Sequence, residues 1–525
     1  MSAVLPTVAE EAHPRRWVIL SVLCTSLLLV MQGNTALNLA LPRISFDIGL
    51  SSSAMQWIVD AYSLVFAGLL FTTSALGDGF GRKGVMQAGL VLFGGATAFA
   101  AFAADSGATL IAARAVMGLA GAMIMPSTLS ILTNVFPAAE RPKAIAVWAG
   151  IAGGGAAIGM IVNGFVLEHW SWHSVFILNL PLAIGALVAG AVLVPTSRDP
   201  EHSPIDWLGA VLSTAGVATL VYGLIEAPAH GWLSPETLTV LGGGLVALGA
   251  FVAWELRTAS PMLDIRLFRR PAFGISSLTL TMVFFTLMGI FFSMSQLFQL
   301  VMGYGTFESA LRTAPVFLAM IVVAPQTPRI VGRFGLHRTV VAGLGLVATG
   351  IAILSMLPDQ PSYLHVAAGM AVMATGMAVA MSPTTGLLMS AVPRERAGMG
   401  SAMNDTTREL GGALGIAVLG SVTASQYASH LSGALRGLPA GTAAAARSSL
   451  AGALAVGAQA GPSGTRIVEA AKAAWMSGLT TAMAVGALII AAAATVAWFG
   501  LPRTEPAPAP ALETPDGEMA EAVAA

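Results

Sequence analysis

The chain reads Leu76-Gly77-Asp78-Gly79-Phe80-Gly81-Arg82-Lys83-Gly84 between two long apolar runs, and a worn copy, Val331-Gly332-Arg333-Phe334-Gly335-Leu336-His337-Arg338, returns in the second half. A tight basic turn duplicated between apolar helices points to two related halves, because two bundles rocking about a shared cavity is how such duplications give alternating access. The turn follows the second apolar run and its copy follows the tenth. Plain duplication of six-helix halves gives an offset of six, so two further helices lie between the halves.

Composition places those runs in a bilayer. Of 525 residues, 56% are hydrophobic and 10% charged, with a mean hydropathy of +0.78, whereas soluble domains are about 25% charged. About 20 residues of helix cross the ~30 Å hydrocarbon layer. The sequence predicts spans at 17–41, 55–76, 84–104, 108–135, 143–167, 174–195, 206–226, 237–257, 273–302, 310–331, 338–357, 363–391, 404–427 and 475–500. The fold class is an all-α integral membrane protein of fourteen helices. It has an N-terminal tail (1–16), a first six-helix bundle (17–195), two inserted helices with linkers (196–271) and a second bundle (272–500). Residues 428–474 read as an extracytoplasmic loop with short interfacial or hairpin helices, its apolar stretch from Leu450 to Ala460 being too short to span. The tail 501–525, with its Pro-Ala repeats, reads as disordered and cytoplasmic.

Charge placement says more than the net charge of -1, which argues against a nucleic-acid binder. Arg15 and Arg16, Arg82 and Lys83, Arg141 and Lys143, Arg198, Arg266 to Arg270, Arg329 to Arg338, Arg394 and Arg396, and Arg503 fall in alternate loops. By the positive-inside bias those loops and both termini are cytoplasmic, in a multi-pass plasma-membrane protein. The lone Cys24 sits in the first span, which excludes a disulfide framework or cysteine metal site. No metal-ligand cluster, cofactor motif or nucleophile-base pairing is present in the sequence, so an enzyme is not expected. The first span lacks a cleavage site and is expected to be retained.

Polar residues inside the spans are the candidates for chemistry. Gln32, Asn34 and Asn38 interrupt the first span, with Asn34 and Asn38 on one face. They read either as interhelical hydrogen-bonding groups or as the lining of a substrate cavity. Asp60, in Gln56-Trp57-Ile58-Val59-Asp60-Ala61-Tyr62, is a carboxylate that costs roughly 2.5–3.5 kcal/mol to insert if ionised, so it needs a cavity or a partner. A group of that kind can exchange a proton for cargo; a solvated structural carboxylate near the outer end is the alternative. In Asn404-Asp405-Thr406-Thr407-Arg408-Glu409, Asp405 suits a helix start and pairing with Arg408, while Glu409 lies one turn deeper and is the better second proton site. Arg114 in the fourth span must find carboxylate, carbonyl or water partners. Gly150, Gly154, Gly155, Gly159 and Gly164 make the fifth span a close-packing helix, and Gly411 and Gly415 repeat the device. Gln296 and Gln299, among the phenylalanines of the ninth span, are further cavity candidates. In the basic turn, the glycines allow a reversal, Asp78 can cap the next helix, and Arg82 with Lys83 can pair across the bundles. Together Gly77, Asp78, Gly81, Arg82 and Lys83 make a conformational gate.

The turn, Arg114, the glycines of the fifth span, Phe176-Ile177-Leu178-Asn179-Leu180-Pro181 and the stretch Asn404 to Gly420 together resemble the major facilitator superfamily. Within it they are most similar to the fourteen-spanner drug:proton antiporters. The chain departs from that pattern: Gly33 stands where a first-span aspartate is usual, Gly79 for an arginine, Met117 for a glutamine, Met160 for a proline, Asn163 for a glycine and His173 for an arginine. The resemblance implies no cofactor and no covalent chemistry. It implies export of drugs or of an antibiotic or secondary metabolite across a bacterial inner membrane, conferring resistance and driven by inward proton flow. The expected partners are lipid, protons and a small amphipathic substrate, with the protein working as a monomer. Two other readings stand beside it: a proton-independent facilitator or importer of a neutral metabolite, which Gly33 and the polar first span fit, and a membrane enzyme or transporter-like sensor.

Overall fold

The computed structural model describes residues 14–137, 140–196, 206–258, 261, 263–392, 397–436, 438–460 and 464–503. Within the helices, side chains are described except at 34–36, 71, 75, 78, 79, 141–143, 145, 146, 149, 150, 152–158, 397–399, 401 and 402. Residues 1–13 and 504–525 of the two tails and the side chains of Asn34, Asp78, Gly150, Gly154 and Gly155 therefore lie outside the described residues.

The first half runs α1 (Arg16–Ile48), α2 (Ser52–Phe80), α3 (Arg82–Phe102), α4 (Gly107–Val135), α5 (Arg141–His169) and α6 (Ser174–Leu193). Next come α7 (Trp207–His230) and α8 (Pro235–Glu255), and then α9 (Pro271–Gln296), which a π-type turn carries on to Val301. The second half continues as α10 (Thr306–Arg312), α11 (Ala314–Val323), α12 (Thr327–Phe334), α13 (Leu336–Ser355), α14 (Tyr363–Ser390) and α15 (Ala397–Leu431). It closes with α16 (Ala440–Ser448), α17 (Leu450–Gln459) and α18 (Gly464–Gly500). Twelve spans among the described residues are long and apolar enough to cross a membrane, and the long helices α5 and α15 stand beside them.

Buried apolar side chains form two large clusters. One draws on α1 to α6, from Ile19 to Val194; the other lies mainly on α9, α13 to α15, α17 and α18. Leu64, Val221, Ile225, Ala413 and Ala417 make a third, small cluster joining α2, α7 and α15. The α7–α8 pair leans on the outside of the α2–α15 seam through this cluster and the Trp57–Tyr222 ring contact at 5.9 Å. Its outer residues, such as Leu245 and Val246, are exposed. In a bilayer such residues meet acyl chains at no cost, while helices satisfy their own backbone groups.

The duplicated turn is visible in the backbone. Helix α2 breaks at Gly81 with φ 111° and α3 starts at the next residue; α12 breaks at Gly335 with φ 80° and α13 starts at once. L side chains are disfavoured there, so glycine is required. The other glycines of the first copy do not make the reversal: Gly77 to Gly79 continue α2.

Two spans differ in detail from expectation. The tenth is broken into α10, α11 and α12, because Pro315, Pro325 and Pro328 remove backbone donors. The last begins at Gly464, eleven residues before the predicted 475, since Arg466, Glu469 and Lys472 had masked its first turns. Loop 428–474 folds into α16 and α17, which cover one end of the seam: Tyr427 donates to the carbonyls of Ala446 and Ser449 (2.7 and 3.1 Å).

Candidate functional site

By chain alternation one end of the molecule carries Arg16, Arg82, Lys83 and Arg270, and the opposite, far end carries the α1–α2 and α5–α6 connections. The two halves meet along α2–α15, α1–α9 and α5–α10. Small residues set these approaches. A Cβ on Gly164 would stand 2.7 Å from Ala310 Cβ, and one on Gly420 2.6 Å from the Gln56 amide. Within the second bundle, Gly411 and Gly415 lie directly on the Thr281 and Phe285 carbonyls. Contacts this close need glycine, and they give helix pairs the van der Waals attraction that lipid does not compete away.

Arg114 is 1% exposed and, among the described residues, stitches α4 to its neighbours through carbonyls rather than a carboxylate hydrogen bond. Its Nε donates to Ile58 O (2.9 Å) on α2, Nη1 donates to Gly33 O on α1, and its guanidinium lies 4.4 Å from the centre of the Tyr62 ring. The Tyr62 hydroxyl in turn donates to Val30 O at 3.2 Å. Hydrogen bonds from a charged group are worth about 1.5–3 kcal/mol each, so this cation is well held. Yet Nη2 has no hydrogen-bond partner among the described residues. Across the seam on α15, the Glu409 carboxylate acts electrostatically on both Arg114 and Tyr62.

Asp60 is fully buried, and neither carboxylate oxygen has a hydrogen-bond partner among the described residues. On its helix face it lies one turn from Gln56, which accepts from Ser421 (3.3 Å) on α15, and one turn from Leu64, which packs on Ala413 and Ala417. An acid is thus set into the α2–α15 seam against small apolar residues. Asp405 is placed differently: Asn404 donates to it at 3.4 Å, and Arg408 lies 3.8 Å away while also covering the Phe284 ring at 4.7 Å.

The first-span amides face inward as well. Gln32 and Asn38 are buried, their side-chain oxygens without a hydrogen-bond partner among the described residues, and Gln32 packs against Gly159 of α5. Asn163, one turn on from Gly159, adds another buried oxygen with no partner among the described residues. At Gly33 a Cβ would meet Phe93 at 2.9 Å, so the ring occupies space that a side chain there needs. The two glutamines of the ninth span part company. Gln299 donates to Leu39 O (2.9 Å) and joins the bundles, whereas Gln296 lines a narrow recess with Gln56, Tyr427 and Trp475. Lys83 donates to Ala191 O (2.8 Å) on α6 of its own bundle.

The sequence profile of the Major Facilitator Superfamily matches residues 23–416. The chain belongs to that superfamily. The multidrug efflux pump LfrA of Mycolicibacterium smegmatis is 36% identical to it over 484 residues, 92% of this chain and 95% of that protein. The tetracenomycin C resistance and export protein of Streptomyces glaucescens is 32% identical, covering 81% and 79%, and the methyl viologen resistance protein SmvA of Salmonella typhimurium is 31% identical, covering 94% and 99%. Among solved structures, an inward-facing, unoccupied bacterial homologue of the lysosomal transporter Spinster superposes with TM-score 0.64 at 16% identity, covering 93% and 97%. As a major facilitator the chain is a multi-pass membrane transporter and not an enzyme.

For this superfamily member, reading the sequence alone found Asp60, Arg114 and Glu409 but gave no role to Tyr62, Gln56 or Glu168. Gln56, four residues before Asp60 and so on the same helix face, had that spacing as its signal, whereas Tyr62, two residues after it, had none. Glu168 sat at a predicted helix end, where an acid reads as solvated.

Proposed function

We propose that this chain is a proton-driven exporter of drugs, or of an antibiotic or other secondary metabolite, in a bacterial inner membrane, and that it confers resistance. Its termini and basic end face the cytoplasm, and its far end faces out. The similarity to named multidrug and antibiotic exporters supports the cargo class. The proton half rests on one observation: Asp60 is sealed in the seam between bundles, and neither of its oxygens has a hydrogen-bond partner among the described residues. An ion there is costly, and the cost changes whenever the bundles rock. Glu409, facing Arg114 and Tyr62 across the same divide, is the second site. Cargo and protons then bias the same two-state element in opposite directions, which is all that exchange requires.

Residues 17–195 and 272–500 act as the rocking bundles, with 196–271 as a passive flank. Gly77, Asp78, Gly81, Arg82 and Lys83 form the hinge of the cytoplasmic gate, and Gln32, Asn34, Asn38, Gln296 and Gln299 contribute polar lining. One chain supplies both bundles, so a monomer suffices.

The test is transport by the purified protein in liposomes with an imposed pH gradient. Exchange predicts accumulation of an amphipathic dye that collapses when the gradient is dissipated. Movement indifferent to the gradient supports the facilitator reading, which the missing side chain at Gly33 favours.

A further inference from the structure

Where the two bundles meet at the far end, the contact turns on one carboxylate. Glu168, in the last turn of α5, accepts from Thr306 Oγ1 (2.9 Å) and from the Phe307 N–H (3.1 Å), both on α10 of the other bundle. Thr306 also reaches the Gly164 carbonyl at 3.4 Å, and Phe165 meets the Phe307 ring edge-on at 6.0 Å. The receiving segment is shaped for the acid. A Cβ on Gly305 would stand 2.7 Å from Glu168 Oε1, so glycine there leaves room for the carboxylate. Helix α10 is a short piece, set off by Gly303 at φ 76° before it and by the break at Thr313 after it, so it can unhook without unwinding a whole span. A cleft of about 410 Å³ lined by Arg43, Asp47, Trp172, Gly305 and Thr306 opens beside the contact. Water in that cleft competes for these hydrogen bonds, which makes them breakable within a transport cycle.

We propose that Glu168 is the clasp of the far-side gate, a positioning residue whose hold on Thr306 and Phe307 sets the balance between the two access states. This assignment rests on the transporter reading above, but not on its direction or its proton coupling.

The clasp is not a pH sensor. The surrounding charged and titratable groups are Arg43 and Asp47 on α1, His169 on α5, His173 in the α5–α6 connection, and Glu308 and Arg312 on α10. Several are already engaged: Arg43 donates to Leu167 O, Asp47 accepts from Trp172 (2.8 Å), His169 pairs with Phe165 O (2.9 Å) and Glu308 holds Arg312 (2.8 Å). Glu168 itself lies beyond the predicted end of the fifth span and is exposed. The Phe307 N–H is the largest influence on its carboxyl and holds it below the usual carboxylate range, against the opposing effect of burial, with Thr306 and the Arg43 charge assisting. A lowered value means that the clasp is fully formed above the ordinary carboxylate range and is lost only as pH falls through the lowered value. Across about pH 5.5 to 8 it stays ionised, so rocking is what opens it.

The experiment measures the separation of the bundles at the far end. Spin labels on Asp105→Cys and Asp359→Cys, in exposed loops of opposite bundles, are introduced into the full chain with Cys24→Ser, in nanodiscs without cargo or gradient. Glu168→Ala is expected to raise the ratio of long to short distances about tenfold or more, the effect of losing charge-assisted hydrogen bonds. Glu168→Gln, which keeps an acceptor, is expected to raise it less, and neither variant should respond to pH in that range. Gly305→Ala, which pushes on the carboxylate from the other side, should shift the ratio in the same direction as Glu168→Ala. Thermal unfolding is followed in parallel and should be unchanged. A distribution unmoved by both Glu168→Ala and Gly305→Ala overturns the clasp, as does one that shifts with pH in wild type but not in Glu168→Gln. Because no cargo or gradient is present, a shift with failed proton-driven export sinks only the exporter reading, and the converse result sinks only the clasp.

Discussion

Replacing Asp60 with asparagine separates its two possible roles, because the structure gives opposite expectations for stability and for transport. The carboxylate has no hydrogen bond or ion pair among the described residues to lose, and an ionised acid at mid-membrane costs roughly 2.5–3.5 kcal/mol on insertion scales. Asp60→Asn, of nearly equal volume, should therefore leave thermal stability unchanged or raise it. Transport should fall by an amount set by stoichiometry. One proton crossing a gradient of one pH unit carries about 1.4 kcal/mol, a tenfold concentration ratio. With Asp60 and Glu409 both carrying protons, vesicles clamped at zero potential should reach an accumulation ratio of about a hundredfold for each pH unit, and Asp60→Asn about tenfold. The assay is the steady-state ratio of a fluorescent cargo against the imposed gradient, on a logarithmic plot whose slope counts protons. A slope unchanged by Asp60→Asn refutes the reasoning. So does a variant that loses stability, since that outcome marks Asp60 as a structural group with a partner.

Two further outcomes follow from the backbone contacts. Gly164→Val places branched carbons against Ala310 Cβ at 2.7 Å and near the Phe307 backbone at 3.3 Å; the two bundles should then fail to close at the far end, read as a longer distance between labels there and as lost transport with normal membrane expression. Gly81→Ala forces a side chain into φ 111°, a strain of order 1–3 kcal/mol. A lowered unfolding temperature in detergent is expected, and an unchanged one means that the turn relaxes freely.

How much of this was legible in advance depends on how local the cause is. Membrane spans follow from runs of apolar residues, and nearly all of them were placed from the sequence. The tenth was placed too, but its breaks were not, because three prolines interrupt a run whose hydropathy alone looks continuous. The last was placed but started too late, because its charged first turns hide from a hydropathy window while Lys472 reaches Val301 O (3.0 Å) across the far end. Asp60, Arg114 and Glu409 stood out because ionisable groups are costly in oil wherever they point. Where each one points belongs to another level. That Arg114 rests on carbonyls and a tyrosine ring, and that among the described residues Asp60 has no hydrogen-bond partner while Asp405 meets Asn404 and Arg408, depends on which helix faces lie together.

By itself, then, the sequence determined that this is a membrane protein of two related halves with acids kept inside it, because burial of apolar residues and the conformational demands of Gly81 and Gly335 are properties of single segments. Only the tertiary structure decided that α2 lies on α15 with Asp60 sealed between them, and that Glu168 crosses from one bundle to hook Thr306 in the other. Those pairings join residues more than a hundred positions apart, and their energy comes from close contact at glycine seams, which no segment carries until its partner is in place.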